Sequence, residues 1–260
     1  AQAAEAAGFE SAWTFEHVVV PAEYDSRYPY SGSGKMGVAP EVNFIDPLIA
    51  LSHVAAATKT LRLGTGVNIL PQTNPLLLAK QAASIDVLSG GRLLLGLGIG
   101  WLEEEFVAMG TPFERRGARF NDYIAAMKKV WSGEVVEHQS DFLNWSGFKS
   151  FPTPAQRPHP PLLVGGTSKQ ALKRVAQLGD GWYAPRGSPE QLAEQLERWP
   201  IESVSGFLVK ALQREQEIVH TVTERTSGYE QELLARPGIR TVRIAKNHAQ
   251  LLSLVDALAL

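Results

Sequence analysis

Cysteine is absent from this chain of 260 residues, so disulfides, thiolate metal sites and a cysteine nucleophile are excluded, as suits a reducing cytoplasm. An excess of one charge is absent too: 25 Lys and Arg stand against 27 Asp and Glu, a formal net charge of -2. Without a Lys/Arg block the surface cannot release the counterions that drive nucleic-acid binding, and nucleic acid is not an expected partner. No apolar run is long enough to cross a bilayer and no signal-peptide pattern is present, so no membrane partner is expected. The six histidines include no HExxH or other paired spacing, which predicts no metal. Also missing are a Gly-x-Ser-x-Gly elbow and a Walker loop, which removes serine hydrolases and P-loop enzymes. Neither an internal repeat nor a low-complexity linker divides the sequence. With 44% hydrophobic residues there is enough apolar mass for one large core, so residues 1–260 read as a single domain.

What the chain does have is glycine at strand ends. The stretch 61–101, LRLGTGVNILPQTNPLLLAKQAASIDVLSGGRLLLGLGIGW, spells two strand-helix units and closes its strands in Gly-Thr-Gly and Gly-Leu-Gly-Ile-Gly. That leaves bare backbone where α/β folds place their ligands. Strands are predicted at 11–14, 61–67, 92–97, 162–165, 181–184, 217–223 and 241–244. Helices are predicted at 46–57, 75–88, 102–109, 119–131, 169–178, 189–198, 228–235 and 250–259. Such alternation implies a parallel sheet with helical crossovers. Seven strands, with one more before residue 1, make eight, which favours a TIM-type (β/α)8 barrel over an open doubly wound sheet. The chain opens on a helical AQAAEAAG with no initiator methionine, so the barrel's first strand is expected to be lacking from this sequence. Two connections exceed plain turns. The one over 18–43, containing AEYDSRYPYSGSGKMGVAP, follows the carboxyl end of a strand and reads as a substrate lid. The one over 133–161, a polar hairpin and then FPTPAQRPHPP, reads as structural.

Each group able to carry chemistry also has a plainer account. Glu16 and His17 follow strand 11–14 into the barrel mouth, where an imidazole titrating near neutrality can pass a proton. Taken alone, a satisfied loop histidine beside a surface carboxylate explains the pair more economically. Gly165, Gly166, Thr167 and Ser168 precede a helix, so exposed amides, a positive dipole end and two hydroxyls form an anion site suited to phosphate. N-capping by Thr167 or Ser168 needs only one of those groups; the double glycine tips the reading toward phosphate. Asp86 and Arg92 lie near the amino end of a strand and read as structural. Glu103, Glu104 and Glu105 read as a solvated helix face, and Arg115, Arg116 and Arg119 as solvated surface.

The run Trp13-Thr14-Phe15-Glu16-His17-Val18-Val19-Val20-Pro21, the tract LGTGVNILPQTNPLLLAKQAASIDVLSGGRLLLGLGIGWLEEEF, the segment TPAQRPHPPLLVGGTS and GDGWY together resemble the bacterial-luciferase-like flavin oxidoreductases. More narrowly they resemble the branch that uses the deazaflavin coenzyme F420. The resemblance covers residues 1 to about 185 and fades beyond Gly187. It implies a TIM-type barrel that binds F420, with FMN as the alternative, and hydride transfer with a small organic substrate. It implies further that Glu16 and His17 face the ring, His17 serving as acid or base. Thr65, Gly66 and Val67 are implied as a bulge against one ring face, often with a cis peptide that does not involve proline. Gly96, Gly98 and Gly100 miss the dinucleotide spacing and are implied to leave room for the ring or its ribityl chain, with Glu104 a polar contact and residues 165–168 holding the phosphate. Tyr24, Tyr28 and Tyr30 in the first long loop point to an apolar or ring-bearing substrate, and the family habit of pairing barrels implies a homodimer. Two alternatives stand beside this reading: an FMN-dependent luciferase-like monooxygenase that consumes oxygen, and a barrel that binds ligand without turnover.

Overall fold

A computed structural model of the protein describes residues 1–184, 219–221 and 243–245. The helices predicted at 189–198, 228–235 and 250–259 lie outside the described residues. In order come α1 (Gln2–Ala6), β1 (Ser11–Thr14), α2 (Pro47–Ala57), β2 (Arg62–Thr65), β3 (Asn68–Ile69), α3 (Pro75–Ser89) and β4 (Leu93–Gly98). They are followed by α4 (Glu103–Ala108), α5 (Arg116–Trp131), β5 (Val136–Gln139), β6 (Asn144–Phe148), β7 (Leu162–Gly165), α6 (Lys169–Leu178), β8 (Gly181–Tyr183), β9 (Val219–Thr221) and β10 (Arg243–Ala245).

Local chemistry sets these bounds. The Asn74 side chain accepts from the amides of Leu76 and Leu77 at 3.0 and 3.1 Å, and Pro75 occupies the first turn, where its missing N–H costs nothing. Gly90 ends the same helix at φ 70°, a left-handed position that glycine adopts without strain. The short α1 buries none of its residues. It is tied down instead by Glu5, whose carboxylate accepts from the amides of Lys59, Thr60 and Leu61 at 2.6 to 2.9 Å. Those bonds, from Thr60 and Leu61 above all, hold the Glu5 carboxyl down at about 2.

The fold is α/β. One sheet runs β1-β2-β4-β7-β8 with every neighbour parallel, and β3 pairs with β4 beyond the end of β2. All six residues of the central β4 are buried. A strand covered on both faces has no polar side to present, which is why LLLGLG shows no alternation. Leu78 of α3, Phe120 and Trp131 of α5, and Leu93, Leu95 and Leu97 of β4 belong to one core. Within it the Trp131 indole N–H donates to the Ala79 carbonyl at 2.9 Å. β5 and β6 form the antiparallel hairpin read from the sequence, and β9 and β10 pair parallel with each other.

The predicted strand 61–67 is interrupted. Its first part ends at Thr65, the Gly66 amide turns to donate to the Thr14 carbonyl at 2.6 Å, the Gly66–Val67 bond is cis, and the chain re-pairs as β3. At the opposite end of the sheet, the Arg92 guanidinium donates to the carbonyls of Ala55, Thr58, Leu61 and Ser89. Asp86, fully buried, accepts from the Gln156 amide and side chain at 2.8 and 2.7 Å. Both residues do structural work at the amino ends of the strands.

Candidate functional site

Because the strands run parallel, their carboxyl ends gather on one side, and there they open into a cavity of about 740 Å3. Glu16, His17, Tyr28, Tyr30, Gly66, Val67, Gly98, Gly100 and residues 165–168 all line it. Thr65 does not. It is fully buried, and its hydroxyl donates to the Gly96 carbonyl at 2.7 Å, joining β2 to β4.

The glycines are small on account of their own neighbours. A Cβ on Gly98 would meet Val67 at 2.6 Å, and one on Gly100 would meet Phe106 at 2.6 Å and Ile69 at 2.8 Å. One on Gly96 would strike the Thr65 carbonyl. The expectation that Gly98 and Gly100 leave room for a ring or its chain is therefore corrected: protein side chains fill the space these glycines vacate. What Gly98 and Gly100 offer the cavity is main chain.

Glu16 is 7% exposed, and its Oε2 accepts from the Ile69 amide at 2.5 Å. Burial pushes its carboxyl up to about 7; the Ile69 hydrogen bond opposes that shift, and the nearby charges of Glu105 and Asp46 reinforce it. Beside it, His17 Nδ1 lies 3.0 Å from Glu105 Oε2. An ionised carboxylate only accepts, so Nδ1 carries the proton and Nε2 is left to exchange one. The other Glu105 oxygen accepts from the amides of Val18 at 2.6 Å and Val19 at 3.4 Å. Glu104 accepts from the amides of Asp25 and Ser26 at 2.7 and 3.1 Å. Burial raises the Glu104 carboxyl, but the hydrogen bonds from the Ser26 side chain and from backbone amides outweigh it and hold it at about 2.

These contacts overturn the solvated-face reading for Glu104 and Glu105, while Glu103 is exposed as expected. Glu105 is 2% exposed and Glu104 half-buried, because the first turn of α4 meets a loop whose amides have no strand to bond. Glu104 thus holds the loop and does not line the cavity. The arginines need a similar correction. Arg115 is exposed and pairs with Asp141 at 2.6 Å, but Arg119 is buried and donates to the carbonyls of Pro71, Pro112 and Glu114. Arg116 lines the cavity, its Nε donating to the Gly100 carbonyl at 3.1 Å.

Two lining aromatics escaped the sequence reading. Trp101 stands with its ring centroid 5.0 Å from Tyr28, 5.8 Å from Tyr24 and 6.3 Å from His17. Tyr183 ends β8 against Trp13 at 5.5 Å, and burial raises its hydroxyl. Their signals were position alone: Trp101 directly follows GLGIG, and Tyr183 closes GDGWY. Tyr24 braces the loop from behind, its hydroxyl accepting from the Met36 amide at 2.8 Å, and is not part of the lining.

At the start of α6, Ser168 is the N-cap and its Oγ accepts from the Ala171 amide at 3.1 Å. Ser168→Ala is expected to cost about 1 kcal/mol of stability in urea unfolding. Gly166, at φ 116°, takes a backbone conformation that side chains rarely adopt, and its carbonyl accepts from the Trp182 indole at 2.7 Å. Among the described residues no group of three or more His, Asp or Glu could hold a metal ion, and no helix is long and apolar enough to cross a membrane.

Comparison with known proteins places this geometry. The model of the luciferase-like monooxygenase family matches residues 1–201. An uncharacterised protein of Mycobacterium tuberculosis is 35% identical over 198 residues, 76% of this chain and 68% of its own length. The FMNH(2)-dependent dimethylsulfone monooxygenase of Pseudomonas putida is 32% identical over 154 residues, 57% of this chain and 42% of its own. Among solved structures, the coenzyme F420 dependent tetrahydromethanopterin reductase of Methanopyrus kandleri superposes with a TM-score of 0.58 at 20% identity. That match covers 85% of this chain and 59% of the reductase.

Proposed function

This chain belongs to the luciferase-like monooxygenase family, and from that premise we propose that it is an oxidoreductase acting on a small organic substrate, with coenzyme F420 as its cofactor. The observation that carries the reading is convergence. Glu16 and His17 after β1, Gly66 and Val67 after β2, and residues 165–168 after β7 border one cavity, as a ring and a phosphate on one ligand require. The residues suit such a group: main chain and Val67 along one wall, Trp101, Tyr28 and Tyr183 as aromatic surface, and the α6 amides with the Thr167 hydroxyl at the phosphate end. We read the described sheet as one arc of a (β/α)8 barrel that makes a single domain of the chain.

The bound cofactor supplies the hydride chemistry. The protein positions it and handles the proton. His17, held by Glu105, presents Nε2 to give or take a proton at the substrate. Glu16, near 7, is a second site able to hold a proton at working pH. The loop over 18–43, fastened by Glu104 and Glu105 and faced with Tyr28 and Tyr30, shields the reacting atoms from water.

FMN is the second reading, favoured by the FMNH(2)-dependent relative at 32% identity. Parallel absorbance and fluorescence titrations with F420 and FMN decide between them. F420 is expected to bind more tightly. Tighter FMN binding, with oxygen consumed after reduction, would replace the first reading with the second, and binding of neither would end the oxidoreductase proposal.

A further inference from the structure

Among the described residues two arginines border the cavity, Arg27 and Arg116, and the acid there is Glu16, pushed up to about 7 by burial. That balance of charge favours an anion over a cation. Arg27 belongs to the loop over 18–43 and directly follows the segment that Glu104 holds through the amides of Asp25 and Ser26. A turn folds against it: the Tyr28 amide donates to the Gly34 carbonyl at 2.8 Å, and the Gly34 amide to the Ser31 carbonyl at 3.0 Å. Gly34 takes φ 70°, and a Cβ there would stand 3.1 Å from Arg27 Nε. Glycine at that place serves the turn and lets the guanidinium lie along it.

An arginine on a rim needs no protein partner, since water can serve it; the surroundings set Arg27 apart. Among the described residues it forms no hydrogen bond and no ion pair, although Glu23, Asp25 and Glu41 share its loop. The loop's other cation is committed: Lys35 Nζ donates to the Tyr24 carbonyl and lies 4.2 Å from the centroid of the Tyr24 ring. Tyr28, the residue after Arg27, places its ring 5.0 Å from Trp101 and 5.5 Å from Tyr30. A guanidinium without a partner among the described residues therefore precedes a bank of aromatic surface, all of it bordering the same cavity.

We propose that the organic substrate is an aromatic carboxylate, its ring received by Tyr28, Tyr30 and Trp101 and its carboxylate by Arg27. The inference rests on the oxidoreductase reading for what happens to that substrate; Arg27 itself binds and orients, and takes no part in the chemistry. Its planar guanidinium fork matches both oxygens of a carboxylate. Arg27 is exposed in the empty cavity, so the pairing strengthens as substrate and loop exclude water from it. A neutral analogue of the same shape forfeits that pairing. Holding the carboxylate at the loop turns the rest of the substrate inward, past Trp101 and toward His17, whose ring centroid lies 6.3 Å from that of Trp101.

The probes are 2-naphthoate and its neutral isostere 2-naphthamide, titrated by calorimetry into the purified protein with and without saturating F420. Wild-type protein is expected to bind naphthoate about fivefold or more tightly than naphthamide, between the worth of an exposed ion pair and that of a charge-assisted hydrogen bond. Arg27→Gln should remove the preference by weakening naphthoate alone. Arg27→Lys, which keeps the charge without the fork, should restore part of it. Affinity for F420 should be the same in wild type and Arg27→Gln. Equal binding of the two probes by wild type, failure of both to bind, or a preference that survives Arg27→Gln would overturn the assignment. F420 binding weakened as much as naphthoate binding would overturn it too, by giving Arg27 to the cofactor. Arg27-dependent naphthoate binding by a protein that takes up neither F420 nor FMN would leave the anion site standing and end the oxidoreductase reading alone.

Discussion

Glu16→Gln is expected to stabilise the protein at pH 8 by up to about 3 kcal/mol and to flatten its stability between pH 4.5 and 7. Burial places the Glu16 carboxyl at about 7 in the folded protein against 4.5 for an ordinary glutamate. A difference of that size is worth about 3 kcal/mol. The sign follows from proton binding. Below pH 4.5 the carboxyl is protonated whether the chain is folded or not, and ionisation costs nothing. Between 4.5 and 7 the unfolded chain releases the proton while the folded one keeps it, so wild-type stability falls as pH rises; above 7 the whole cost is present. Glutamine is neutral throughout and its Oε1 can still accept from Ile69. Urea unfolding of both proteins at pH 5 and pH 8 checks this: the gain should be small at pH 5 and large at pH 8. Equal gains at the two values would show that Glu16 is ionised in the folded protein at pH 5.

A buried carboxylate that destabilises its own fold at neutral pH is better explained by chemistry than by packing. The surroundings agree. Glu16 accepts one backbone hydrogen bond, while Glu105 and Asp46 both oppose its ionisation and His17 alone among the nearby charges favours it. Glu105 meanwhile has all its negative charge engaged by His17, Val18 and Val19. Burial without matching donors leaves Glu16 poised to exchange a proton near neutral pH, as a group in the working chemistry requires.

How much of this was legible in sequence depended on range. Helix starts and strand cores were readable because they are local: Ser168, weighed as a cap, accepts from the Ala171 amide three residues on, and the helices predicted from 46 and 75 begin at Pro47 and Pro75. The interruption at Gly66 was not, because it depends on the Thr14 carbonyl fifty-two residues away waiting for the Gly66 amide. Glu105 is the sharper case. Three consecutive acids at the start of a helix carry the pattern of solvent exposure, and only the 18–43 loop folding back supplies the amides that bury two of them. Arg119 misled for the same reason, its carbonyl partners Pro71 and Pro112 belonging to turns whose approach no periodicity encodes.

Glu105 carries the sharpest separation of stability from turnover. Glu105→Ala removes the acceptor of His17 Nδ1–H and of the Val18 and Val19 amides at once. In a site where the Glu105 side chain is 3% exposed, the loss is expected to be about 3 kcal/mol, since donors left unpaired away from water carry their full desolvation cost. Glu105→Gln behaves differently. Its Oε1 can still accept from Val18, so most of the stability should return. Its amide NH2 then faces His17 and donates, which leaves Nδ1 as acceptor and moves the imidazole proton to Nε2. That is the wrong tautomer for taking a proton at Nε2, and turnover is expected to fall about a hundredfold or more. Urea unfolding and steady-state turnover of the two variants together give the test. Glu105→Gln with near-wild-type stability and depressed kcat is the expected result, whereas near-wild-type kcat would mean that His17 does not depend on Glu105 for its tautomer and that the proton path lies elsewhere in the cavity, with Glu16 the remaining group able to carry it.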